Sequence, residues 1–388
     1  MNASPLNRTL FALVLASAAV SSAPPPPPRA AAAAIGDGDF TVAPPYVADP
    51  ALADQGRARG ATFVVQLVAA ASRFYNGSDA SIAGACSDPV PYECCHKAAP
   101  VGSPPRCAFN AVRNVSVYVP AAYRDGDAAP VMVMQDGPGY FSEVSFALDN
   151  LVGNASRRLP VFVPVSIENG GCDAIGSERG LEYDTVSDRY ARFVSEEVLP
   201  AVLGDAAVRA AFPGLRLAED PSQRAAFGCS SGGAAAVTMA FTRPDLFRRV
   251  AAYSATLVDQ QNHADATGAF AAYPQGAWSY HSGMQLLSSA GALPLRIFHS
   301  GSEFDLGYNL TATPVDDPTP GSNNTAGDPG AWSDGHHNWL VANNRTSAAL
   351  RTAGIAYRHL YALGAHHCDS GLLLSTLADT LVWLWQGA

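Results

Sequence analysis

The stretch Arg224-Ala225-Ala226-Phe227-Gly228-Cys229-Ser230-Ser231-Gly232-Gly233-Ala234-Ala235-Ala236 decides how this chain is read. Arg224 to Phe227 predicts a short strand, and Gly233 to Phe241 an alanine-rich helix. Gly228 to Gly233 is then a sharp turn, and within it stands G-x-S-x-G. Strand, turn, helix is the context that gives this pattern chemistry, because the turn lifts the serine above the sheet edge at a helix N-terminus. Ser230 is therefore the candidate nucleophile. The Ser231 backbone N–H is the candidate donor to an oxyanion developing beside it. The simpler alternative is a small-residue turn that only lets helix and strand pack closely.

Outward from this turn the chain alternates strands and helices. Thr62 to Leu67, Val115 to Val119, Val131 to Met134, Leu159 to Ser166, Leu295 to Phe298 and Tyr357 to Leu360 read as strands. Val186 to Leu199 places Val186, Tyr190, Phe193, Val194 and Val198 on one helical face, and Thr376 to Trp385 closes the chain as an apolar helix. Such alternation predicts an α/β protein with a mostly parallel sheet covered on both faces. Gly307 to Trp332, rich in Pro, Asn, Asp and Gly, predicts a long loop.

A serine hydroxyl needs a base, and the base an orienting acid, in the chain order Ser, acid, His. After the strand at Leu295 comes His299-Ser300-Gly301-Ser302-Glu303-Phe304-Asp305-Leu306. Asp305 is the expected acid and Glu303 the alternative. After the strand at Tyr357 comes Gly364-Ala365-His366-His367-Cys368-Asp369, and either histidine fits the base. Adjacent histidines seldom share one metal, so no metal is expected. A second oxyanion donor is expected from the loop Asp136-Gly137-Pro138-Gly139 that follows a buried strand. Proline has no N–H, which favours Gly137.

Composition narrows the class. The chain has 388 residues and a formal net charge of −10, is 48% hydrophobic and carries 15% charged residues. That excludes a disordered chain and argues against nucleic acid as the main partner. No P-loop or dinucleotide fingerprint is present, so no cofactor is expected. Arg8 precedes an apolar run from Leu10 to Val20 and then Ser21-Ser22-Ala23, the pattern of a secretory signal. Downstream of that segment, six Asn-x-Ser/Thr tripeptides, at Asn76, Asn114, Asn154, Asn309, Asn323 and Asn344, and seven cysteines fit secretion of a glycoprotein. Cys86, Cys94, Cys95 and Cys107 cluster, with local disulfides the favoured reading, and Cys172 stands alone. The expected organisation is a signal peptide at 1–23, a Pro/Ala-rich linker at 24–50 and a catalytic domain at 51–388. That domain carries a Cys-rich insertion at 77–109. No membrane span is expected after signal removal.

Several segments resemble the enterochelin esterase-like α/β-hydrolases. They include Val117-Tyr118-Val119-Pro120 with Tyr123, Gln135-Asp136-Gly137, Leu148-Asp149-Asn150-Leu151, Glu182 to Tyr190, Gly228 to Gly233, Arg243-Pro244-Asp245-Leu246-Phe247 and Trp383-Leu384-Trp385. The resemblance runs from about Phe63 to the C-terminus and implies an α/β-hydrolase fold, Ser230 as nucleophile and a Ser–acid–His triad. The family's acid often stands in a Gly-Ser-Asn-Asp-Leu type stretch; here Gly301 to Leu306 is one residue longer. A second resemblance, to tannases and some feruloyl esterases, rests on Cys229 before the serine and Cys368 after the histidine. It implies a Cys229–Cys368 disulfide and therefore His367 as base. The function expected from the resemblance is a secreted serine esterase acting on a small-molecule or polymer-linked ester. An acyltransferase, a peptidase or an inactive binding protein on the same scaffold are the alternatives. Tyr140, Phe141, Trp278, Tyr280, Trp332 and Trp339 are candidates to line its pocket.

Overall fold

The computed structural model describes residues 36–79, 110–171, 178–258, 276–281, 286–307 and 338–387. Cys86, Cys94, Cys95, Cys107 and Cys172, the signal segment, most of the Cys-rich insertion, and the tripeptides at Asn309 and Asn323 lie outside them. So does most of the long loop, Trp332 included.

Nine strands form one sheet in the order β1-β11-β10-β9-β8-β5-β6-β3-β2. They are β1 (Gly38–Val42), β2 (Ala61–Val68), β3 (Val112–Val119), β5 (Val131–Met134), β6 (Val163–Ile167), β8 (Arg224–Cys229), β9 (Arg249–Tyr253), β10 (Arg296–Phe304) and β11 (Ala356–His366). Two short strands, β4 (Ala128–Ala129) and β7 (Arg216–Leu217), pair separately. All ladders of the large sheet are parallel except those of β3, which runs antiparallel to β2 and β6. This is the α/β-hydrolase fold, with a mostly parallel central sheet.

The central strands are apolar on both faces because both faces are covered. Along β5, Val131 and Val133 face one core while Met132 and Met134 face the other, and all four are buried. Helices α1 (Phe141–Leu151) and α9 (Ser370–Leu384) cover the methionine side through Val144, Leu148, Leu373, Leu377 and Leu381. On the valine side lie α2 (Glu178–Tyr183), α3 (Arg189–Phe193), α4 (Leu199–Gly204), α5 (Ala206–Ala211), α6 (Ser231–Thr242), α7 (Leu286–Ser289) and α8 (Trp339–Ala353). Helix α6 is buried along Ser231 to Ala240, and its alanines let it lie close on β8 and β9.

Three expectations change. The linker does not reach residue 50: β1 pairs with β11 along Gly38–Val42, and Phe40 and Val42 pack on the α9 side of the core. The domain therefore includes residues from 36 onward. The strands expected at Leu295 and Tyr357 run on to Phe304 and His366, because residues 299–302 pair with residues 359–362 and are fully buried. The single helix expected over Val186–Leu199 is broken. After α3, Val194–Val198 widens to a π turn in which the Leu199 N–H donates to the Val194 carbonyl, just before Pro200. Proline supplies no N–H to continue the ladder.

Candidate active site

Ser230, Asp305 and His367 are each the first residue beyond the C-terminal end of a parallel strand: β8, β10 and β11. One sheet edge therefore gathers three residues separated by up to 137 positions in the chain. Ligands of open α/β sheets lie at this edge, where the strand order reverses. Here the reversal falls between β5 and β8.

Ser230 has φ 56° and ψ −132°, outside the regions L-residues ordinarily adopt. The turn holds this strain because its neighbours are small. A Cβ on Gly228 would stand 2.2 Å from the Gly232 backbone, closer than any atom tolerates. The Ser230 carbonyl is anchored by the N–H groups of Gly233, Ala234 and Thr256. Its hydroxyl lies 2.9 Å from His367 Nε2 and 3.2 Å from Thr256 Oγ1. His367 Nδ1 lies 2.5 Å from Asp305 Oδ1, and the Asp305 side chain is fully buried. Asp305 Oδ1 also accepts the Leu306 N–H at 2.9 Å, which fixes the carboxylate.

The alternatives point elsewhere. Glu303 Oε2 accepts the Gly364 N–H at 2.7 Å and ties the end of β10 to β11. His366 is exposed, with its ring 5.5 Å from that of Phe304. A disulfide joins Cys229 to Cys368 with Cα atoms 6.0 Å apart. It links the residue before Ser230 to the residue after His367. Cys368 has φ 47°, and its N–H donates to Ser254 Oγ at 3.3 Å. Ser254 in turn pairs with Ser302 Oγ at 3.3 Å, so β9 and β10 brace the histidine loop.

The two expected oxyanion donors differ in whether their N–H is already engaged. The Ser231 N–H, at the start of α6, has no partner among the described residues. The Gly137 N–H is spent: it donates to the Ile167 carbonyl at 2.8 Å. It points into the β6 side of the loop, so Gly137 is not a free donor. Of the three residues Gly137-Pro138-Gly139, only Gly139 retains an N–H without a partner among the described residues.

Sequence reasoning missed one neighbour, Thr256, and named another, Trp339, only as a pocket candidate. Thr256 Oγ1 receives the Trp339 indole N–H at 3.2 Å, and the Trp339 ring meets that of His367 edge-on at 5.8 Å. Trp339 was visible only as one aromatic among several, and Thr256 carries no sequence signal. Of the other pocket candidates, Phe141, Trp278 and Tyr280 are buried in the two cores, while Tyr140 is half-buried at the start of α1. No group of three or more metal-ligating side chains is present among the described residues.

A family model described as "Putative esterase" matches residues 107–294. No curated protein matches the chain. Among solved structures, a ferulic acid esterase is 17% identical, covering 71% of this chain and 94% of its own, with a TM-score of 0.46. An enterobactin esterase from Shigella flexneri is 19% identical with a TM-score of 0.44; the alignment covers 71% of this chain and 56% of that one. A siderophore hydrolase from Aspergillus nidulans is 15% identical, covering 70% and 90%, with a TM-score of 0.44. The family match covers just under half of the chain and spans the nucleophile turn and the strands that carry it, so over that region the chain is similar to this esterase family.

Proposed function

We propose that this protein is a secreted serine esterase that works through a Ser230–His367–Asp305 triad and an acyl-enzyme. The observation that carries the reading is the relay of 2.9 Å from Ser230 Oγ to His367 Nε2 and 2.5 Å from His367 Nδ1 to Asp305. As Ser230 Oγ attacks the ester carbonyl, its proton passes to His367 Nε2. Asp305 holds the Nδ1–H and stabilises the imidazolium that forms. The carbonyl oxygen, now an oxyanion, meets the Ser231 N–H, with Gly139 as second donor in place of Gly137. Collapse expels the alkoxide, which takes the proton from His367 Nε2 and leaves as the alcohol. Water then attacks the acyl-enzyme with His367 again as base, releasing the acid and restoring Ser230.

The Cys229–Cys368 bond favours an oxidising compartment, in line with the signal-like N-terminus. Asn76 and Asn344 are exposed, as glycan acceptors must be, and Asn154 is half-buried. No helix of the described residues is long and apolar enough to cross a membrane. The test is labelling with a fluorophosphonate, followed by a side-by-side assay of aryl, short-acyl, feruloyl and catecholate esters. Stoichiometric label on Ser230 with hydrolysis of at least one class is expected. Folded protein that takes no label would instead be a binding protein on this scaffold.

A further inference from the structure

A second strained turn stands beside the nucleophile, and its surroundings manage a charge. Asp136, the second residue past β5, has φ 56°. Its Oδ1 accepts from Arg179 Nε at 2.8 Å and from Asn169 Nδ2 at 2.8 Å, and its Oδ2 from Arg179 Nη2 at 2.9 Å. Its backbone N–H donates to the Tyr183 hydroxyl at 3.2 Å. Oδ2 lies against the first turn of α6, since a Cβ on Gly232 would stand 2.9 Å from it. That same turn carries the Ser231 N–H. A carboxylate therefore sits next to the place where negative charge must grow during ester hydrolysis. Like charges a few ångströms apart repel strongly in a partly buried site, so a bare Asp136 would raise the barrier. A guanidinium is planar, permanently charged and able to grip both oxygens, so it cancels the charge without a proton changing place. The Arg179 side chain is 8% exposed, which limits screening by water.

We propose that Arg179 is a positioning residue for the reaction. It neutralises Asp136 and holds it in the left-handed conformation that shapes the loop 136–139 opposite Ser230. The proposal rests on the serine-esterase reading. Loss of turnover and of Ser230 labelling in the wild-type protein would sink that reading first, whatever the variants do.

With wild-type turnover in hand, kcat and KM are measured separately for Arg179→Gln, Arg179→Lys and the double variant Asp136→Asn with Arg179→Gln. Arg179→Gln should lower kcat roughly 10- to 100-fold with KM within about threefold, the signature of an interaction that matters in the transition state. Arg179→Lys should recover much of that loss. The double variant, with no charge left to cancel, should exceed Arg179→Gln by about tenfold. A merely structural role predicts the opposite order, because the double variant has lost both charged partners. A double variant no faster than Arg179→Gln, or Arg179→Gln with unchanged kcat, would overturn the proposal. If Arg179→Gln alone does not fold, the double variant carries the test: kcat within about tenfold of wild type is expected, and a larger loss overturns it.

Discussion

Two turns at the same sheet edge share a backbone angle and differ in what enforces it. Ser230 follows β8 and Asp136 follows β5, the strand beside it, and both have φ 56°. The Ser230 turn is enforced from within: Gly228 and Gly232 leave no space for a Cβ between them. The Asp136 turn is enforced from outside, by Asn169, Arg179 and Tyr183, which lie 33, 43 and 47 residues further on. A turn of the first kind is legible in six consecutive residues. One of the second kind is visible only once the chain has folded. That is why the Ser231 N–H is left without a partner among the described residues while the Gly137 N–H is claimed by Ile167.

The largest effect expected belongs to the first turn. Ser230→Ala should keep the fold and cost roughly 10⁴- to 10⁶-fold in kcat, as should His367→Ala to a similar extent. His366→Ala and Glu303→Ala should be far milder than His367→Ala and Asp305→Ala, since neither side chain touches the relay. Steady-state kinetics on one good ester checks all five. A dead His366→Ala beside an active His367→Ala would move the base.

Next comes the crosslink. Replacing Cys229 and Cys368 by alanine removes a bond that closes a long loop, with an expected cost of about 2–5 kcal/mol in denaturant unfolding. Activity should fall with it, because Ser230 and His367 flank the two sulfurs. Unchanged stability and kcat would show that hydrogen bonding through Ser254 suffices to hold the loops.

Glycine substitutions test the local character of the Ser230 turn directly. Gly228→Ala drives a methyl into backbone and should cost roughly 3 kcal/mol or more. Gly232→Ala meets the Asp136 carboxylate at 2.9 Å and Gln135 Cβ at 3.0 Å, side-chain atoms and not backbone, and should cost less, about 1–3 kcal/mol. Thermal unfolding of the two variants gives the order, and equal losses would mean that the Asp136 side is as rigid as the backbone.

Legibility followed the same division elsewhere. Strands β3, β5 and β8 announced themselves because apolar, β-branched or small runs bounded by turn residues have few other uses. Helix α8 did not, because Asn343, Thr346 and Ser347 are buried on the face it turns to the sheet and break the apolar period. Helix α1 keeps helical spacing at Phe141, Val144, Leu148 and Leu151, yet starts without a capping side chain and so sends no start signal. Strand β1 hides behind a Pro/Ala tract, and only its ladder with β11 reveals it. In sequence Asp305 is preferred to Glu303, but the stretch Gly301 to Leu306, one residue longer than the family's, leaves the two open. His367 could be separated from His366 only by the cysteine beside it.

The smallest effects concern pH, and here the two halves should part in opposite directions. Under the triad, His299 of β10 and His359 of β11 stack at 4.4 Å, both buried. Burial first, then the neighbouring ring, pulls His299 well below the ordinary histidine range; burial, opposed by Asp39, brings His359 down to about 4. Under Asp136, helix α2 buries Glu178 and Glu182 beside Arg113, which pairs with Glu182 at 2.6 Å. Neither Glu178 oxygen has a hydrogen-bond partner among the described residues, and burial, then the Glu182 charge, pushes it up to about 8. The histidines are neutral in the fold but take protons in the unfolded chain below about pH 6.5. Their contribution is whole above that value and drains away as the pH falls toward 4. Glu178 is protonated in the fold, so its contribution is whole below its ordinary 4.5 and drains away as the pH rises through 8. Acid should therefore loosen β10 and β11 first, and alkali α2 and the loop it holds. Amide exchange near about pH 4.5 and about pH 8.5, corrected for intrinsic rates, would locate each opening. Glu178→Gln should flatten the alkaline arm and leave the acid arm alone. If the same segment opens first at both extremes, the two turns do not rest on separately titrating supports, and their difference ends at the sheet edge.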